Sequence, residues 1–247
     1  MTADTGRTDL VTSEADDLRE LVARTRYVLF DFDGPICALF PGDSGNHLSE
    51  DQLSLFRARG LLGLLTDEER IQRDAYTRLS AFGRRHPRSD LFLELEERLT
   101  QHELRAVRHA MPTAYADPLI RTWVATGTRL AVVTNNSART VNRYLHSRGL
   151  LPCFAPHVYG RTQDMSLLKP HPHTLHRALG ALGAAPGDSL MIGDTVTDHA
   201  AARDAGVRFI GYARNDVKEH MLLRSGVEHR HVVRSLEPLL RAVRAHA

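Results

Sequence analysis

The sequence predicts an α/β protein: a Rossmann-like parallel sheet that carries an inserted, all-helical cap domain. Two patterns support this fold class. In the last half of the chain, short apolar strands alternate with amphipathic helices, which is typical of βαβ units and of a parallel sheet covered on both faces. From about residue 49 to 111 the periodicity is helical throughout and offers no strand. Because this stretch follows the first strand, it is predicted as an insertion.

Length and charge limit the classes of protein that fit. The 247 residues are enough for one large domain, or for a core domain with a smaller insertion, and for a sizeable buried core. A formal net charge of +2 without a basic block argues against a nucleic-acid partner. No stretch approaches the roughly 18 apolar residues of a membrane span. These features predict no nucleic-acid or membrane partner, and they leave the oligomeric state open.

Cysteine usage and the N-terminal residues both favour a cytoplasmic location. Cys37 and Cys153 are the only cysteines of the sequence, and they fit neither a disulfide framework nor a zinc site. The first residues are polar and acidic, without the cationic start and apolar run of a signal peptide. We therefore expect a protein of a reducing, cytoplasmic compartment.

The first strand is expected at residues 27–31, where the run YVLFD is apolar up to its aspartate. A nearly continuous apolar run indicates burial on both faces of a parallel sheet. Before this strand, Ser13 is predicted to cap a helix over residues 14–24. After it, residues 38–48 have the composition of a loop.

The helical insertion has its own start signals. Thr66 and Ser89 each precede a helical pattern and are candidate N-caps. Eight arginines between residues 57 and 88 interleave with acidic residues, which favours a solvated, salt-bridged surface over an anion clamp. The predicted domains are an N-terminal extension of residues 1–24, an α/β core of residues 25–44 and 113–247, and a helical cap of residues 45–112.

After the insertion, the chain is predicted to alternate between helices and strands. A helix opens at Asp117-Pro118, with proline in the first turn where its missing N–H matters least, and ends before Gly127. The strands that follow are expected at residues 129–134, 157–160, 189–194, 207–212 and 231–233, and the helices at residues 138–148, 173–182, 197–205, 216–224 and 235–245.

Polar residues end several of the predicted strands. Asp31 and Asp33 close the first strand, although two buried carboxylates repel each other and are costly without a cation, a shared proton or a role in chemistry. In open α/β sheets, ligands bind outside the carboxyl ends of the strands. The other polar residues at or near strand ends are Thr134 and Asn135, Lys169 in the run LLKPHP, and Asp194 and Asp198 in the run GDTVTD.

Each of these residues, taken alone, also fits a plain role in a turn, a helix cap or a solvated loop. Their order along the chain, each near a strand end, favours one shared site. Lysine is also rare here, since Lys169 and Lys218 are the only lysines among 32 basic residues. A position that holds lysine therefore invites a question about its chemistry.

The same four stretches resemble the motifs of the haloacid dehalogenase-like hydrolase superfamily, in its phosphatase branch. Its D-x-D-G motif is similar to residues 31–34, and its apolar run before Ser or Thr is similar to AVVTNN, which contains Thr134. Its Lys-Pro motif is similar to residues 169–170, and its G-D-x-x-x-D motif to residues 193–198. A helical cap directly after the first motif is typical of the phosphoglycolate-phosphatase-like subgroup. The resemblance covers roughly residues 26–235.

The resemblance implies a Mg²⁺-dependent phosphatase that acts on a small phosphorylated metabolite, because caps of this kind close over the cleft. Asp31 would be the nucleophile that forms an aspartyl-phosphate, and Asp33 the general acid and base. Thr134, helped by the N–H of Asn135, would bind a phosphoryl oxygen. Lys169 would neutralise the nucleophile and the phosphoryl group.

The resemblance also implies a cation site and one special glycine. Mg²⁺, which prefers hard oxygen ligands, would be held by Asp31, the main-chain oxygen of Asp33, and Asp194. Asp198 would support these ligands or serve as an occasional ligand. Gly34 would let the backbone turn sharply beside the phosphate.

One residue departs from the family pattern. The family usually carries Thr or Val after the first motif, whereas this chain has Pro35. Proline fixes φ and removes an N–H, so a stiffer entry into the cap is expected. The missing N–H also removes a backbone donor near the phosphate.

Alternative functions fit the same residues. A phosphomutase of the same family would use Asp31 and Asp33 but protect the intermediate from water. A non-catalytic protein that binds a phosphate ester would have kept the fold, although no motif side chain is lost.

Some tempting signals have plainer explanations. Three histidines in KPHPHTLH lack a cysteine or carboxylate partner at zinc spacing, so cleft-edge or surface positions are expected. Cys37 has no identifiable base and is predicted as a small, half-buried residue. Trp123 is predicted to pack in the core.

Overall fold

The computed structural model describes residues 16–41 and 46–246. Within these ranges the strands are β1 (Tyr27–Phe30), β2 (Cys37–Ala38), β3 (Met111–Pro112), β4 (Arg129–Val133), β5 (Val158–Tyr159), β6 (Ser189–Gly193), β7 (Arg208–Tyr212) and β8 (Val232–Val233).

The α-helices of the same ranges are α1 (residues 16–23), α2 (Asn46–Ala58), α3 (Asp67–Ile71), α4 (Ala75–Arg85), α5 (Asp90–Ala106), α6 (Ala116–Ala125), α7 (Ala138–Ser147), α8 (Leu151–Phe154), α9 (His173–Leu182), α10 (Val196–Asp204), α11 (Asp216–Arg224) and α12 (Glu237–His246).

Six strands form one parallel sheet in the order β5-β4-β1-β6-β7-β8. β1 lies at the centre, where Phe30 is opposite Val132 of β4 and Ile192 of β6. The chain first adds β4 and β5 on one side of β1, and then β6, β7 and β8 on the other. The strand order therefore reverses at β1, which is where ligands bind in open α/β sheets.

Helices cover both faces of the sheet, because successive residues of a strand point to opposite sides. On one face Phe30 meets Trp123 of α6 and Phe154 of α8 edge-on, with ring centroids 5.8 Å and 6.0 Å apart. On the other face Leu29 and Met191 belong to a second buried cluster with side chains of α9 and α10. The predicted burial of the first strand on both faces is confirmed, and so is the packing of Trp123.

The helices α2 to α5 lie between β2 and β3, which pair with each other as an antiparallel ladder. Their apolar side chains form a cluster of their own, which includes Phe56, Phe82 and Phe92. Thr66 and Ser89 both cap helices as predicted, since their hydroxyls accept bonds from Glu69 N and Phe92 N, each at 3.2 Å.

One arginine of these helices does not lie on the predicted solvated surface. Arg78 is 1% exposed and donates to the carbonyl oxygens of Glu69 and Ser49, each at 2.8 Å. It also donates to the carbonyl of Gln72. Its guanidinium therefore satisfies backbone acceptors inside the helical group, a role that the charge pattern does not reveal.

The predicted fold class, a parallel α/β sheet with a helical insertion, is confirmed. The helices and strands predicted after residue 112 are present with bounds that agree within two residues, whereas the short helix α8 was not predicted. The strands β2 and β3 were not predicted, because a two-residue strand has no readable periodicity. The predicted loop of residues 38–48 is too long at both ends, since Ala38 belongs to β2 and α2 begins at Asn46. The helix over residues 14–24 is present from residue 16, and its predicted cap Ser13 lies outside the described residues.

The proposed domain limits at residues 24, 44 and 112 stay a prediction. In the part of the chain that the structure describes, no helix is both long and apolar enough to cross a membrane.

Candidate active site

The site lies where β1, β4 and β6 end side by side at the centre of the sheet. Each strand ends one residue before a predicted site residue, and these are Asp31, Thr134 and Asp194. All three side chains are buried. The parallel arrangement therefore brings together residues that are far apart in the sequence.

Lys169 reaches this point from the loop after β5. Its ammonium Nζ donates to Asp31 Oδ1 at 2.8 Å, to Asp198 Oδ1 at 2.5 Å and to the carbonyl oxygen of Val133 at 3.0 Å. The three ammonium protons are thus all used, and the lysine side chain is 2% exposed. A compact point charge is held between two carboxylates that come from different motifs.

Three carboxylates form the only group of potential metal ligands in the described part of the chain. Ligand atoms of Asp31, Asp194 and Asp198 all lie within 4.8 Å of one another. Oδ1 of Asp194 is buried and has no hydrogen-bond partner. A buried carboxylate oxygen without a partner is costly, and a divalent cation with hard oxygen ligands would relieve this cost. The residues present therefore fit a cation such as Mg²⁺.

Asp198 is already fully engaged. Its Oδ1 accepts from Lys169, and its Oδ2 accepts from Thr195 Oγ1 at 2.7 Å, Thr195 N at 3.0 Å and Asp194 N at 3.1 Å. These bonds also close the capping box that begins α10. Of the two roles predicted for Asp198, the arrangement favours support of the neighbouring groups over direct ligation of a cation.

Asp33 lies beside this group and not within it. Its Oδ1 accepts a bond from the backbone N of Leu39 at 2.9 Å, and its backbone forms an isolated bridge with Cys37. Burial raises the pKa of the Asp33 carboxyl above its ordinary value. A carboxyl that keeps its proton more readily suits the predicted role of a general acid.

Gly34 is required by its surroundings. Its φ of +126° lies in a region that other residues rarely adopt, and a Cβ built on it would approach Asp194 Cγ to 2.5 Å. The glycine thus lets the chain after Asp33 pass directly against the buried carboxylate. Pro35 follows inside the turn, which Gly34 N closes by donating to the carbonyl of Cys37 at 2.7 Å.

The loop after β4 is held by its own side chains. Thr134 Oγ1 donates to Asn136 Oδ1 and accepts from Asn136 N, both at 3.1 Å. Asn135 bonds the backbone of Lys169 twice, since its Nδ2 donates to the carbonyl at 3.0 Å and its Oδ1 accepts from the N–H at 2.9 Å. Asn135 was predicted only through its N–H, and its side chain also fixes the lysine.

Burial and mutual repulsion dominate the electrostatics. Burial, with the charge of Asp198 beside it, raises the pKa of Asp31 to about 7, although Lys169 acts in the opposite direction. Burial likewise raises the pKa of Asp194. Burial acts to lower the pKa of Lys169, but the two carboxylates outweigh it and raise that pKa. The lysine therefore stays charged. The positive charge around the carboxylates is nevertheless too small to keep the pKa values of Asp31 and Asp194 in their ordinary range.

Lys218 is a site residue that was not predicted. Its Nζ lies 2.8 Å from Asp194 Oδ2, and its side chain is 23% exposed. Asn215 caps α11 and accepts a bond from Lys218 N at 2.9 Å, which fixes the start of this helix beside the site. Both lysines of the sequence thus contact the same group of carboxylates. The rarity of lysine was the signal, but it gave no role to the second one.

The signals that were discounted take no part in the group of carboxylates. Cys37 adjoins Asp33 in the turn after β1, and it is fully buried where half-burial was predicted. Cys37 is buried, and burial raises the pKa of its thiol, so it does not have the character of a nucleophile. His171 and His176 are exposed, outside the one carboxylate group described above.

Solved structures share this architecture. A predicted phosphatase from Clostridium acetobutylicum superposes with a TM-score of 0.65 at 17% identity, and the match covers 90% of this chain and 99% of that one. At this level of identity the likeness shows the fold alone.

Curated relatives add sequence similarity. A phosphoglycolate phosphatase of Rhodospirillum rubrum is 29% identical over 206 residues, which is 77% of this chain and 82% of the relative. The pyrophosphatase PpaX of Halalkalibacterium halodurans is 29% identical over 138 residues, or 51% of this chain and 63% of the relative. Across PpaX and four of the phosphoglycolate phosphatases, the match spans between 36% and 63% of the relatives' own length.

A family model agrees with the four motifs. The model described as haloacid dehalogenase-like hydrolase matches residues 25–206, which includes every predicted site residue. The resemblance found in the sequence is thus confirmed: the chain belongs to the haloacid dehalogenase-like hydrolase family.

Proposed function

We propose that this protein is a Mg²⁺-dependent phosphatase that hydrolyses a small phosphate monoester through an aspartyl-phosphate intermediate on Asp31. The observation that carries the proposal is the contact of Lys169 with both Asp31 and Asp198, which joins three motifs in one buried group. The phosphatase names of the curated relatives support the same class of reaction.

The cation would be held by Asp31, the main-chain oxygen of Asp33, and Asp194. The support is the buried Oδ1 of Asp194, which lacks a partner, and the three carboxylates that lie together. When bound, Mg²⁺ would supply positive charge to the phosphoryl oxygens and to the carboxylates around them.

The first half of the reaction would transfer the phosphoryl group to the protein. Lys169 binds Oδ1 of Asp31, so Oδ2 is the oxygen proposed to attack phosphorus. A new bond forms between this oxygen and phosphorus while the ester P–O bond breaks. Asp33 gives its proton to the leaving alcohol oxygen. Lys169, Thr134 and the N–H of Asn135 would stabilise the charge on the phosphoryl oxygens.

The second half would return the protein to its starting state. Asp33, now a carboxylate, takes a proton from a water molecule as the water oxygen attacks phosphorus. The bond between phosphorus and Asp31 breaks, which releases inorganic phosphate and restores the Asp31 carboxylate. Asp33 ends with the proton that it gave away in the first half, so the cycle balances.

The substrate class proposed is a small phosphorylated metabolite, since α5 of the helical insertion contacts the loop after β4 beside the site. The names of the curated relatives give the first two candidates to test, phosphoglycolate and inorganic pyrophosphate. The expected cytoplasmic location is part of the same proposal.

The test is a panel of phosphate esters and pyrophosphate, assayed for released phosphate with Mg²⁺, for wild type and Asp31→Asn. The variant should lose at least about a thousandfold in kcat, because the amide is a poor nucleophile. Asp204→Asn is a matched control, since Asp204 is an exposed aspartate at the other end of α10.

Equal turnover by wild type and Asp31→Asn would contradict Asp31 as the nucleophile. Transfer of phosphate between two positions of a sugar phosphate, without release to water, would instead indicate a phosphomutase. A wild type that binds phosphate esters but never turns one over would indicate a non-catalytic binding protein.

A further inference from the structure

A second buried charged group joins the helical insertion to the α/β core. Glu103 of α5 is 1% exposed. Its Oε2 accepts from Ser137 N at 2.9 Å and from Thr140 Oγ1 at 3.1 Å, and both donors belong to the start of α7. Its Oε1 accepts from Arg161 Nη1 at 2.7 Å and from Asn136 Nδ2 at 3.3 Å. A carboxylate from the insertion thus caps a helix of the core.

Arg161 completes this group from the other side. Its side chain is fully buried and donates to Glu103, to Glu96 Oε1 at 3.0 Å through Nε, and to Thr100 Oγ1 at 2.9 Å. It also donates to the carbonyl oxygen of Asn135 at 3.1 Å. One guanidinium therefore bridges three positions of α5 to the loop after β4, which only the forked geometry of arginine allows.

The loop after β4, residues 134–137, lies between Arg161 and Lys169, and it is the loop proposed to bind phosphate. Asn135 is held on one side by the backbone of Lys169 and on the other by Arg161. The backbone N of Arg161 also donates to the carbonyl of Asn136 at 2.8 Å. The position of residues 134–137 is therefore fixed by hydrogen bonds to Lys169 and Arg161.

We propose that Glu103 and Arg161 are positioning residues for this loop, so that the geometry of the phosphate site depends on how α5 packs against the core. The proposal rests on the proposed function. Neither residue bonds Thr134 or Asp31 in the structure, so both would act through Asn135, Asn136 and Ser137.

The structure offers a matched control on the same helix. Glu97 of α5 pairs with Arg139 of α7 at 2.7 Å, but both side chains are at least half exposed. Glu97→Gln removes a surface contact between the same two helices without touching the loop. Glu103→Gln keeps the shape of the side chain and loses an acceptor, whereas Arg161→Lys keeps the charge and loses the fork.

The experiment measures phosphate affinity, kinetics and loop protection for wild type and these three variants. Inorganic phosphate binding is measured by calorimetry with Mg²⁺ present, and kcat and KM on the best ester of the panel. Glu103→Gln and Arg161→Lys should weaken phosphate binding and raise KM by about tenfold to a hundredfold, because the loop is misplaced. Mg²⁺ affinity should stay within about twofold of wild type, since the metal carboxylates are held by other contacts.

Hydrogen exchange gives a readout that does not depend on function. The amides of residues 135–137 should exchange faster in Glu103→Gln and Arg161→Lys, while those of β6 and β7 keep wild-type rates. Glu97→Gln should leave both phosphate binding and loop exchange unchanged. Combining Glu103→Gln with Arg161→Lys should cost little more than the worse single variant if the two residues act as one unit.

The outcomes separate the two proposals. Unchanged phosphate affinity in folded Glu103→Gln and Arg161→Lys overturns the positioning role and leaves a purely structural contact. A wild type that neither binds phosphate nor turns over an ester overturns the proposed function. In that case loop exchange decides on positioning, which is overturned if exchange in both variants equals wild type.

Discussion

The molecule contains two buried charged groups that are built on opposite principles. In the group beside β1, one buried carboxylate oxygen of Asp194 has no hydrogen-bond partner. The group around Glu103 and Arg161 gives each oxygen of Glu103 two donors. A buried carboxylate oxygen without a partner marks the place where a ligand belongs, whereas complete hydrogen bonding marks a structural junction.

The largest effect should come from replacing Lys169, whose ammonium joins Asp31 and Asp198 in the group beside β1. Lys169→Met leaves Asp31 and Asp198 buried without their partner, a change that typically costs about 3–5 kcal/mol of unfolding free energy. Turnover should be lost as well. Urea unfolding of the metal-free protein measures the cost.

The pH dependence of this loss gives a sharper test. The cost of Lys169→Met should be smaller at about pH 5 than at about pH 8, because the buried Asp31 carboxyl, whose pKa is already raised, can then take up a proton. Arg241→Met, which removes an exposed pair with Glu237, is the control and should change stability by less than about 0.5 kcal/mol. A loss for Lys169→Met as small as that of the control would mean that the group is not held by its charges.

Protons and the proposed cation should compete for the same carboxylates. The pKa of Asp31 is raised to about 7, so the folded protein holds this proton where the unfolded chain has lost it. For the metal-free protein this contribution to stability is present below the unfolded pKa, near 4, and is lost as pH rises toward 7. Mg²⁺ binds the deprotonated form, so its stabilising effect should grow in the opposite direction.

Thermal unfolding with and without saturating Mg²⁺ tests this competition. The rise in Tm given by Mg²⁺ should be small at about pH 6 and larger at about pH 8. Asp194→Asn should reduce the rise at both pH values, because it replaces the oxygen that lacks a partner. A rise in Tm that is independent of pH would contradict the competition.

A smaller effect is expected at the second lysine. Lys218→Met removes a positive charge 2.8 Å from Asp194, so the metal-free group becomes more negative. Tm of the metal-free protein should fall, by roughly 2–4 °C for each kcal/mol lost. The rise given by Mg²⁺ should exceed that of wild type, because the cation then relieves more repulsion.

If Lys218→Met lowered the Mg²⁺-induced rise in Tm, Lys218 would help to form the cation site. It would then not act as a partial replacement for the positive charge of Mg²⁺. The same exposed control, Arg241→Met, should leave both Tm values unchanged.

The group beside β1 was largely predictable from the sequence, and the group around Glu103 and Arg161 was not. Asp31 and Asp194 directly follow strand ends, Lys169 lies in the loop after β5, and Asp198 lies in the first turn of α10, all within specific motifs. A parallel sheet brings strand ends together whatever the details of packing. Glu103 lies in the last turn of a charged, amphipathic helix, where a glutamate usually faces water.

The features that were missed depend on tertiary packing, on one helix start or on very short strands. The burial of Glu103 and of Arg78 depends on how a helix packs against segments far away in the chain, and helical periodicity does not encode that packing. Lys218 depends on where α11 begins after β7, which one capping residue, Asn215, decides. The two-residue strands β2 and β3 are too short to leave a pattern.

The short ladder of β2 and β3 has a consequence for how this scaffold acquires new specificities. Ala38 is paired with Met111, so the chain enters and leaves the helical insertion at adjacent backbone positions. Segments of other lengths can be spliced between two neighbouring ends at a modest entropic cost. A chimera that exchanges the whole insertion should keep its fold, and it should also keep the geometry of residues 134–137 if the transplanted piece supplies an acid where residue 103 stands.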